Sequence, residues 1–329
     1  MTDFSRISFS YQDTANAPVA IPARFITFPG GEQHVWLDGD IAGERRTYHI
    51  DARIYSSAAV MNLLLVNDAL RRVVGPRAVV ELVLPYLPYA RQDRITTQEE
   101  PLSVKVFSAL INSMKLDRVV ICDPHSLAGP ALLDNVQVME VGNYVQAVIE
   151  RMVARGPIAL VAPDAGAHKR VEALGQTFGL PVVFCGKTRD ARTGRLSHPY
   201  VEGNVPDRPL LVVDDICDGG GTFAALAPVL RQYTDQPVSL YVTHGLLTKG
   251  LAPLKDYDRI YTAFPRDERQ WSQRGGVYWA DPAQVLRASA PEPRTEPGTQ
   301  PGTQPRTQPR TQAPDSGPGP QPRTVSTST

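Results

Sequence analysis

Cysteine is scarce. Cys122, Cys185 and Cys217 are the three in 329 residues, too few and too scattered for a disulfide framework or a thiolate zinc site, and their pattern suits a reducing compartment. Net charge is missing as well: 34 basic residues balance 34 acidic ones, so no global field favours nucleic acid or a membrane surface, and any anion site has to be local. No apolar run approaches the length needed to span a bilayer. The opening "MTDFSRISFSYQDT" lacks the basic-then-apolar layout of a signal peptide, and the expectation is a cytoplasmic protein with neither nucleic-acid nor membrane partners. Past Ala288 aliphatic side chains all but vanish, and proline, threonine and glutamine recur on a P-x-T-Q beat. Such a segment cannot bury a core, so residues 289–329 read as a disordered tail.

Before that tail, the chain is rich enough in apolar residues, 42% overall, to build real cores, and long enough for two domains. Short β-branched runs ("ARFITF", "AVVELVLPY", "DRVVICD", "PIALVAP", "LPVVFC", "PLLVVDD", "VSLYVTHG") alternate with segments whose apolar residues recur at three and four, such as "SSAAVMNLLLVNDALRRVV" and "VGNYVQAVIERMVA". This alternation predicts βαβ units around parallel sheets. The beat weakens near Asn143 and divides the chain into α/β halves of similar size, residues 1–143 and 144–288. Loops after the carboxyl ends of parallel strands are where open α/β sheets bind ligands.

The most informative such loop lies in "RPLLVVDDICDGGGTF", Arg208 to Phe223. An apolar strand ends on Asp214 and Asp215, and a turn from Asp218 through Gly219, Gly220 and Gly221 to Thr222 opens a helix. Backbone N–H groups at a helix N-terminus, with a threonine hydroxyl beside them, make a seat for a phosphate, while the aspartates are acceptors suited to sugar hydroxyls or a metal-bound substrate. Four further stretches end strands in the same manner: "FPGGE" from Phe28 to Glu32, "PYLPYARQDR" from Pro85 to Arg94, "CDPHS" from Cys122 to Ser126 and "PDAGAHKR" from Pro163 to Arg170.

These five motifs, in this order, resemble the ribose-phosphate pyrophosphokinases (phosphoribosyl pyrophosphate synthetases) over almost the whole chain up to Ala288. The resemblance implies two type I phosphoribosyltransferase-like domains with parallel sheets, the first on the ATP side and the second on the ribose phosphate side. It implies transfer of the diphosphoryl group of ATP to the 1-hydroxyl of ribose 5-phosphate, giving phosphoribosyl pyrophosphate and AMP. Asp214 and Asp215 would hold the ribose hydroxyls, and Asp218, Gly219, Gly220, Gly221 and Thr222 its phosphate. His125 and Asp164 would ligate Mg2+, Arg91 and Gln92 would contact ATP, and Phe28 and Glu32 would reach a neighbouring subunit's adenine in a homo-oligomer, dimer or hexamer. The long connection "GKTRDARTGRLSHPYVEGNVPD" resembles the family's mobile catalytic loop, in which Lys187 and Arg189 would neutralise charge in the transition state.

The chain departs from the family at Gly219, where a threonine is usual, at Gly30, where an amide or carboxylate is expected, and in lacking the usual C-terminal hydrophobic segment. The first departure removes a hydroxyl and a side-chain wall from the phosphate loop. It keeps ADP-ribose open as an alternative acceptor in NAD salvage. A phosphoribosyltransferase and a non-catalytic synthetase-associated subunit are the other readings, although neither accounts for "PYARQDR" together with the retained His125, Asp164, Lys187 and Arg189.

Overall fold

A computed structural model of the chain describes residues 3–12, 17–39, 41, 47–139, 142–189, 196–274 and 277–280, the side chains of 188, 189, 196–198, 270 and 274 excepted. All of them belong to one compact unit, Met1–Ala290; the tail expected over 289–329 lies outside the described residues.

The first sheet is built from β1 (Arg6–Gln12), β2 (Val19–Ile21), β5 (Thr47–Arg53), β6 (Val79–Val83), β7 (Arg118–Cys122) and β8 (Val136–Met139), with β3 (Ala23–Thr27) and β4 (Gln33–Leu37) forming a separate antiparallel hairpin. Strands run in the order β2-β1-β5-β6-β7-β8, parallel from β5 to β8 and antiparallel at the β1 and β2 edge. Helix α1 (Ser57–Val74) starts where the Ser56 hydroxyl accepts from the Ala59 N–H at 3.1 Å and stops at Gly75, whose φ of 80° few other residues adopt. Its Leu63, Val66 and Leu70 join Val104, Phe107 and Ile111 of α2 (Ser103–Ser113) and strand residues such as Ile50, Leu82 and Ile121 in one buried core. A short helix, α3 (Ala128–Leu132), follows β7.

Eight strands make the second sheet. They are β9 (Ala159–Ala162), β10 (Val182–Arg189), β11 (Leu196–Glu202), β12 (Leu210–Cys217), β13 (Val238–Gly245), β14 (Arg259–Pro265), β15 (Ser272–Arg274) and β16 (Val277–Ala280). The order is β11-β10-β9-β12-β13-β14-β16-β15, with a parallel centre from β10 to β14 and antiparallel edges. Helices α4 (Gly142–Val153), α5 (His168–Phe178) and α6 (Gly221–Leu230) flank it. Strand alternation sends Val212 and Leu240 to a core with Phe223, Leu226 and Leu230 of α6, and Leu211, Val213 and Tyr241 to a second core with Val145, Val148 and Ile149 of α4 and Val171 of α5. A strand covered on both faces is apolar without alternation, which is why β12 and β13 read as continuous hydrophobic runs.

Two elements differ from the sequence reading. "ARFITF" pairs with β4 and takes no place in a parallel sheet. The connection expected as a loop after "VVFC" is on both sides strand, since β10 and β11 pair antiparallel with Lys187 opposite Pro199. Gly186 and Pro199 are the residues that disguise it. An ideal β-carbon on Gly186 would stand 2.5 Å from the Tyr200 ring, so this strand glycine marks a close approach, and Pro199 is tolerated because β11 is an edge.

Gly175 reports on the fit of α5 to the sheet. A β-carbon there would lie 2.4 Å from Cγ2 of Val182 and 3.0 Å from the Leu180 carbonyl oxygen, and the backbone cannot give way easily. Gly175→Ala is expected to destabilise by about 1–3 kcal/mol, the usual range for overpacking, lowering Tm by roughly 2–4 °C per kcal/mol. An unaltered melting curve would show that this helix is not seated as described.

Candidate active site

The carboxyl ends of β7, β9 and β12 and the segment after β6 converge on a cavity of about 260 Å³. Arg91, Asp93 and Arg94 line it from the segment after β6, His125 and Ser126 from the loop after β7, and Asp164 and Arg170 from the loop after β9 and the first turn of α5. Asp214, Asp215, Thr222 and Phe223 complete it. Both sheets therefore contribute to one site.

Its electrostatics are those of paired, opposed charges. Nδ1 of His125 lies 2.8 Å from Oδ2 of Asp215, and this hydrogen bond raises the imidazole pKa against the effect of burial. The two aspartates at the end of β12 diverge. Burial, together with the charge of Asp215, pushes the Asp214 carboxyl well up. At Asp215 burial acts in the same upward direction, yet the hydrogen bond from His125 and the charge of Arg170 win and hold it below the usual carboxylate range. Asp93 is also held low, its hydrogen bond to Ser126 and the adjoining Arg94 outweighing burial. Coupled carboxylates pushed apart in this way are a mark of functional sites.

The glycine turn is formed as its sequence implies. Gly220 sits at φ 75°, a left-handed conformation that glycine accepts, and a β-carbon would press on Pro253 and Leu254 at 3.3 Å. The first intrahelical bond of α6 runs from the Ala224 N–H to the Gly220 carbonyl at 2.8 Å, which leaves the preceding N–H groups of the helix without intrahelical acceptors. Lys187, on β10, donates to Oδ2 of Asp164 at 2.8 Å and to the Thr222 hydroxyl at 3.2 Å. Arg91 crosses from the first sheet's side to pair with Asp218 of the turn at 2.9 Å.

Of the residues singled out in the sequence, Arg91, His125, Asp164, Asp214, Asp215 and Thr222 line the cavity, and Lys187 and Asp218 are bonded to its lining. Gly219, Gly220 and Gly221 form the turn beneath it. Phe28 and Glu32 stand apart on the tip of the β3–β4 hairpin, where the Phe28 N–H donates to the Glu32 carbonyl at 2.8 Å and the Phe28 ring lies 5.9 Å from that of His34. Gln92 is held through its backbone, donating to the Tyr89 carbonyl at 2.9 Å, and is not among the cavity's lining residues. The side chain of Arg189 lies outside the described residues.

Three further residues organise the site. Arg170, in the first turn of α5 and the last residue of "PDAGAHKR", pairs with Asp123 at 3.0 Å and reaches Asp215 at 4.0 Å. Asp123 accepts from Arg170 and from the Thr243 hydroxyl and is held at φ 40°, an uncommon conformation that loops at functional sites sustain. His244, fully buried at the end of β13, is 3.0 Å from the Cys122 carbonyl through Nε2 and packs against the rings of Tyr86 and Phe264, joining the end of β7 to the second sheet. Only its position at a strand end signalled it.

Comparison with known proteins agrees with this architecture. Residues 15–114 match the family model described as the N-terminal domain of ribose phosphate pyrophosphokinase, and residues 131–270 match the phosphoribosyl transferase domain. A ribose-phosphate pyrophosphokinase of Maricaulis maris is 31% identical over 261 residues, 77% of this chain and 81% of its own. Another from Hyphomonas neptunium is 30% identical over 237 residues, 68% of this chain and 71% of its own. Among solved structures, phosphoribosylpyrophosphate synthetase from Mycobacterium smegmatis superposes with a TM-score of 0.63 at 26% identity, covering 72% of this chain and 77% of that one. With two sheets closing on one charged cavity, and with matches that run through both of them, the chain belongs to the ribose-phosphate pyrophosphokinase family.

Proposed function

We propose that this chain transfers the diphosphoryl group of ATP to the 1-hydroxyl of ribose 5-phosphate, producing phosphoribosyl pyrophosphate and AMP, with ATP on the side of residues 1–143 and ribose phosphate on the side of 144–288. The observation that carries the reading is Lys187. It is bonded at once to Asp164 and to Thr222 of the glycine turn, so one ammonium sits between the acceptor's seat and the region where a diphosphate would arrive. A phosphoribosyltransferase reading leaves the match of residues 15–114 to a pyrophosphokinase N-terminal domain without explanation.

In this reading the glycine turn and Thr222 seat the 5-phosphate, and Asp214 and Asp215 accept hydrogen bonds from the ribose hydroxyls. The 1-hydroxyl oxygen then forms its bond to the β-phosphorus of ATP as the bond to the α,β-bridging oxygen breaks, AMP leaving with that oxygen. Arg91 approaches the polyphosphate from the opposite wall, exchanging its partner Asp218 for phosphate oxygens. Lys187 exchanges Asp164 in the same way, so that a positive charge is in place where negative charge accumulates in the transition state. The hydroxyl proton passes to solvent or to a cavity carboxylate.

The donor set fits a hard divalent cation. Carboxylates of Asp93, Asp164, Asp214 and Asp215 line the cavity, oxygen donors of the kind this class of ion takes. No cluster of three or more His, Cys, Asp or Glu side chains converges on one metal position among the described residues, which suits Mg2+, an ion that keeps water and phosphate oxygens for most of its ligands. Asp164 and His125 would hold it, the latter through Nε2 while Asp215 fixes Nδ1. Bound there, Mg2+ would neutralise diphosphate charge.

Two measurements test this. Release of AMP should depend on ribose 5-phosphate; AMP formed at the same rate without it would overturn the assignment. His125→Ala and Asp164→Asn should each raise the Mg2+ concentration giving half-maximal rate by about tenfold, the lower end of what loss of a ligand or its support costs. Identical Mg2+ titrations in wild type and both variants would move the ion elsewhere. Family resemblance also supports a homo-oligomer in which the exposed Phe28 at the hairpin tip meets another subunit.

A further inference from the structure

Two loops meet at the rim of the glycine turn. After β12 the chain passes through Asp218 and Gly219 into α6; after β13 it passes through Leu246 to Gly250. The second loop is fastened directly onto the first. The Leu247 N–H donates to the Cys217 carbonyl at 3.0 Å and the Thr248 N–H to the Asp218 carbonyl at 3.1 Å. The Thr248 hydroxyl donates to Oδ1 of Asp218 at 2.8 Å. Leu247 is held at φ 43° and Gly250 at φ 66°, with the Gly250 N–H closing on the Leu247 carbonyl at 2.8 Å. A leucine stays in the left-handed region only where its surroundings over-determine it, so this loop is positioned rather than loose.

Between those two left-handed residues stands Lys249, and its stem lies against Gly219. A β-carbon on Gly219 would be 3.5 Å from Cε of Lys249, 3.6 Å from Cδ and 3.9 Å from Cγ, ordinary contact distances. The room that a side chain at 219 would occupy is thus covered by the lysine's methylenes, and the wall expected to be missing there is supplied from β13. The ammonium is one bond beyond that Cε.

Three cations that meet the cavity or its turn have carboxylate partners: Arg91 pairs with Asp218, Lys187 with Asp164 and Arg170 with Asp123. Among the described residues Lys249 has no ion pair. A cation on a fastened loop, its stem against Gly219 and with no carboxylate of its own, is free to be neutralised by a ligand. We infer that Lys249 binds the terminal phosphate of the acceptor and makes the site prefer a phosphate monoester to a phosphodiester, a statement that rests on the reading of this turn as the ribose phosphate seat. The chemical basis is charge. A monoester carries close to two negative charges at neutral pH and a diester one, and an ammonium point charge rewards the difference.

The test uses the full chain and two probes, ribose 5-phosphate and its 5-methyl phosphodiester. Isothermal calorimetry should find the Kd for ribose 5-phosphate raised about tenfold in Lys249→Met, the order expected for a charge-assisted hydrogen bond, with the Kd for the diester raised at most about half as much on a logarithmic scale. Lys249→Arg should restore most of the monoester affinity, and Gly219→Thr placed in the Lys249→Met background should restore part of it. KM for ATP should not move. Equal losses for the two probes, or a wild-type Kd in Lys249→Met, would overturn the inference. Because binding is read without turnover, failure of the proposed reaction is separable: wild-type protein that binds ribose 5-phosphate but forms no AMP would sink the activity alone, whereas wild-type protein that binds neither probe would sink the seat and Lys249 with it.

Discussion

Replacing Lys187 with alanine should lower kcat by about 10² to 10³, the loss found when one preorganised donor to a developing anion is removed, while the Kd for ATP moves by no more than about threefold. The asymmetry follows from the geometry. The ammonium is already satisfied by Asp164 at 2.8 Å and Thr222 at 3.2 Å, so handing it to a ground-state phosphate gains little. Its full worth appears when the transferring diphosphoryl group carries charge that neither substrate alone presents. Rapid-quench single turnovers with excess enzyme separate chemistry from product release. A variant with near-normal single-turnover rate would remove Lys187 from the mechanism, and one whose ATP affinity collapses would make it a ground-state binding residue.

Asp214→Asn should produce opposite effects on activity and stability. Burial and the charge of Asp215 raise the Asp214 carboxyl, so between the ordinary carboxylate range and that raised value the folded protein keeps a proton that the unfolded chain has already released. Folded-state protons in excess mean that stability falls as pH rises through this window. The variant has no such penalty. Its stability relative to wild type, followed through Tm, should climb as pH increases across the window and level off above it, with a plateau gain in free energy on the order of a few kcal/mol, as expected for removal of a buried, incompletely paired charge. Activity should fall by about ten- to a hundredfold, the cost of leaving a buried hydrogen-bonding group at the sugar unsatisfied. A Tm difference independent of pH would show that Asp214 titrates normally, and full activity would remove it from the acceptor site.

The parallel strands and their helices were legible because their physics is local. β12 and β13 are covered on both faces and read as unbroken apolar runs, and α1 and α4 carry their cores at three-and-four spacing. The antiparallel edges were not, since β15 and β16 are only three and four residues long and β1 pairs with β5 across an intervening hairpin. The strand continuing through Lys187 was hidden by Gly186, whose missing side chain makes sense only once the Tyr200 ring is seen against it. In the candidate site, the strand-end aspartates and the glycine turn could be read from residue type and order. The bridges that assemble them, Arg91 to Asp218, Arg170 to Asp123 and His244 to Cys122, span from 47 to 127 positions along the chain and leave no periodic trace. Lys249 belongs to this second class: a charged residue in a turn is unremarkable until its stem is found covering Gly219.

The most direct test of the central claim follows the β-phosphorus of ATP. Incubated with Mg2+, ribose 5-phosphate and ATP labelled at the β-phosphate, the protein should deliver the label into a ribose bearing a 1-diphosphate, with one AMP formed for each, as read by phosphorus NMR and mass. Label remaining in ADP, with a single phosphoryl group on the sugar, would contradict diphosphoryl transfer.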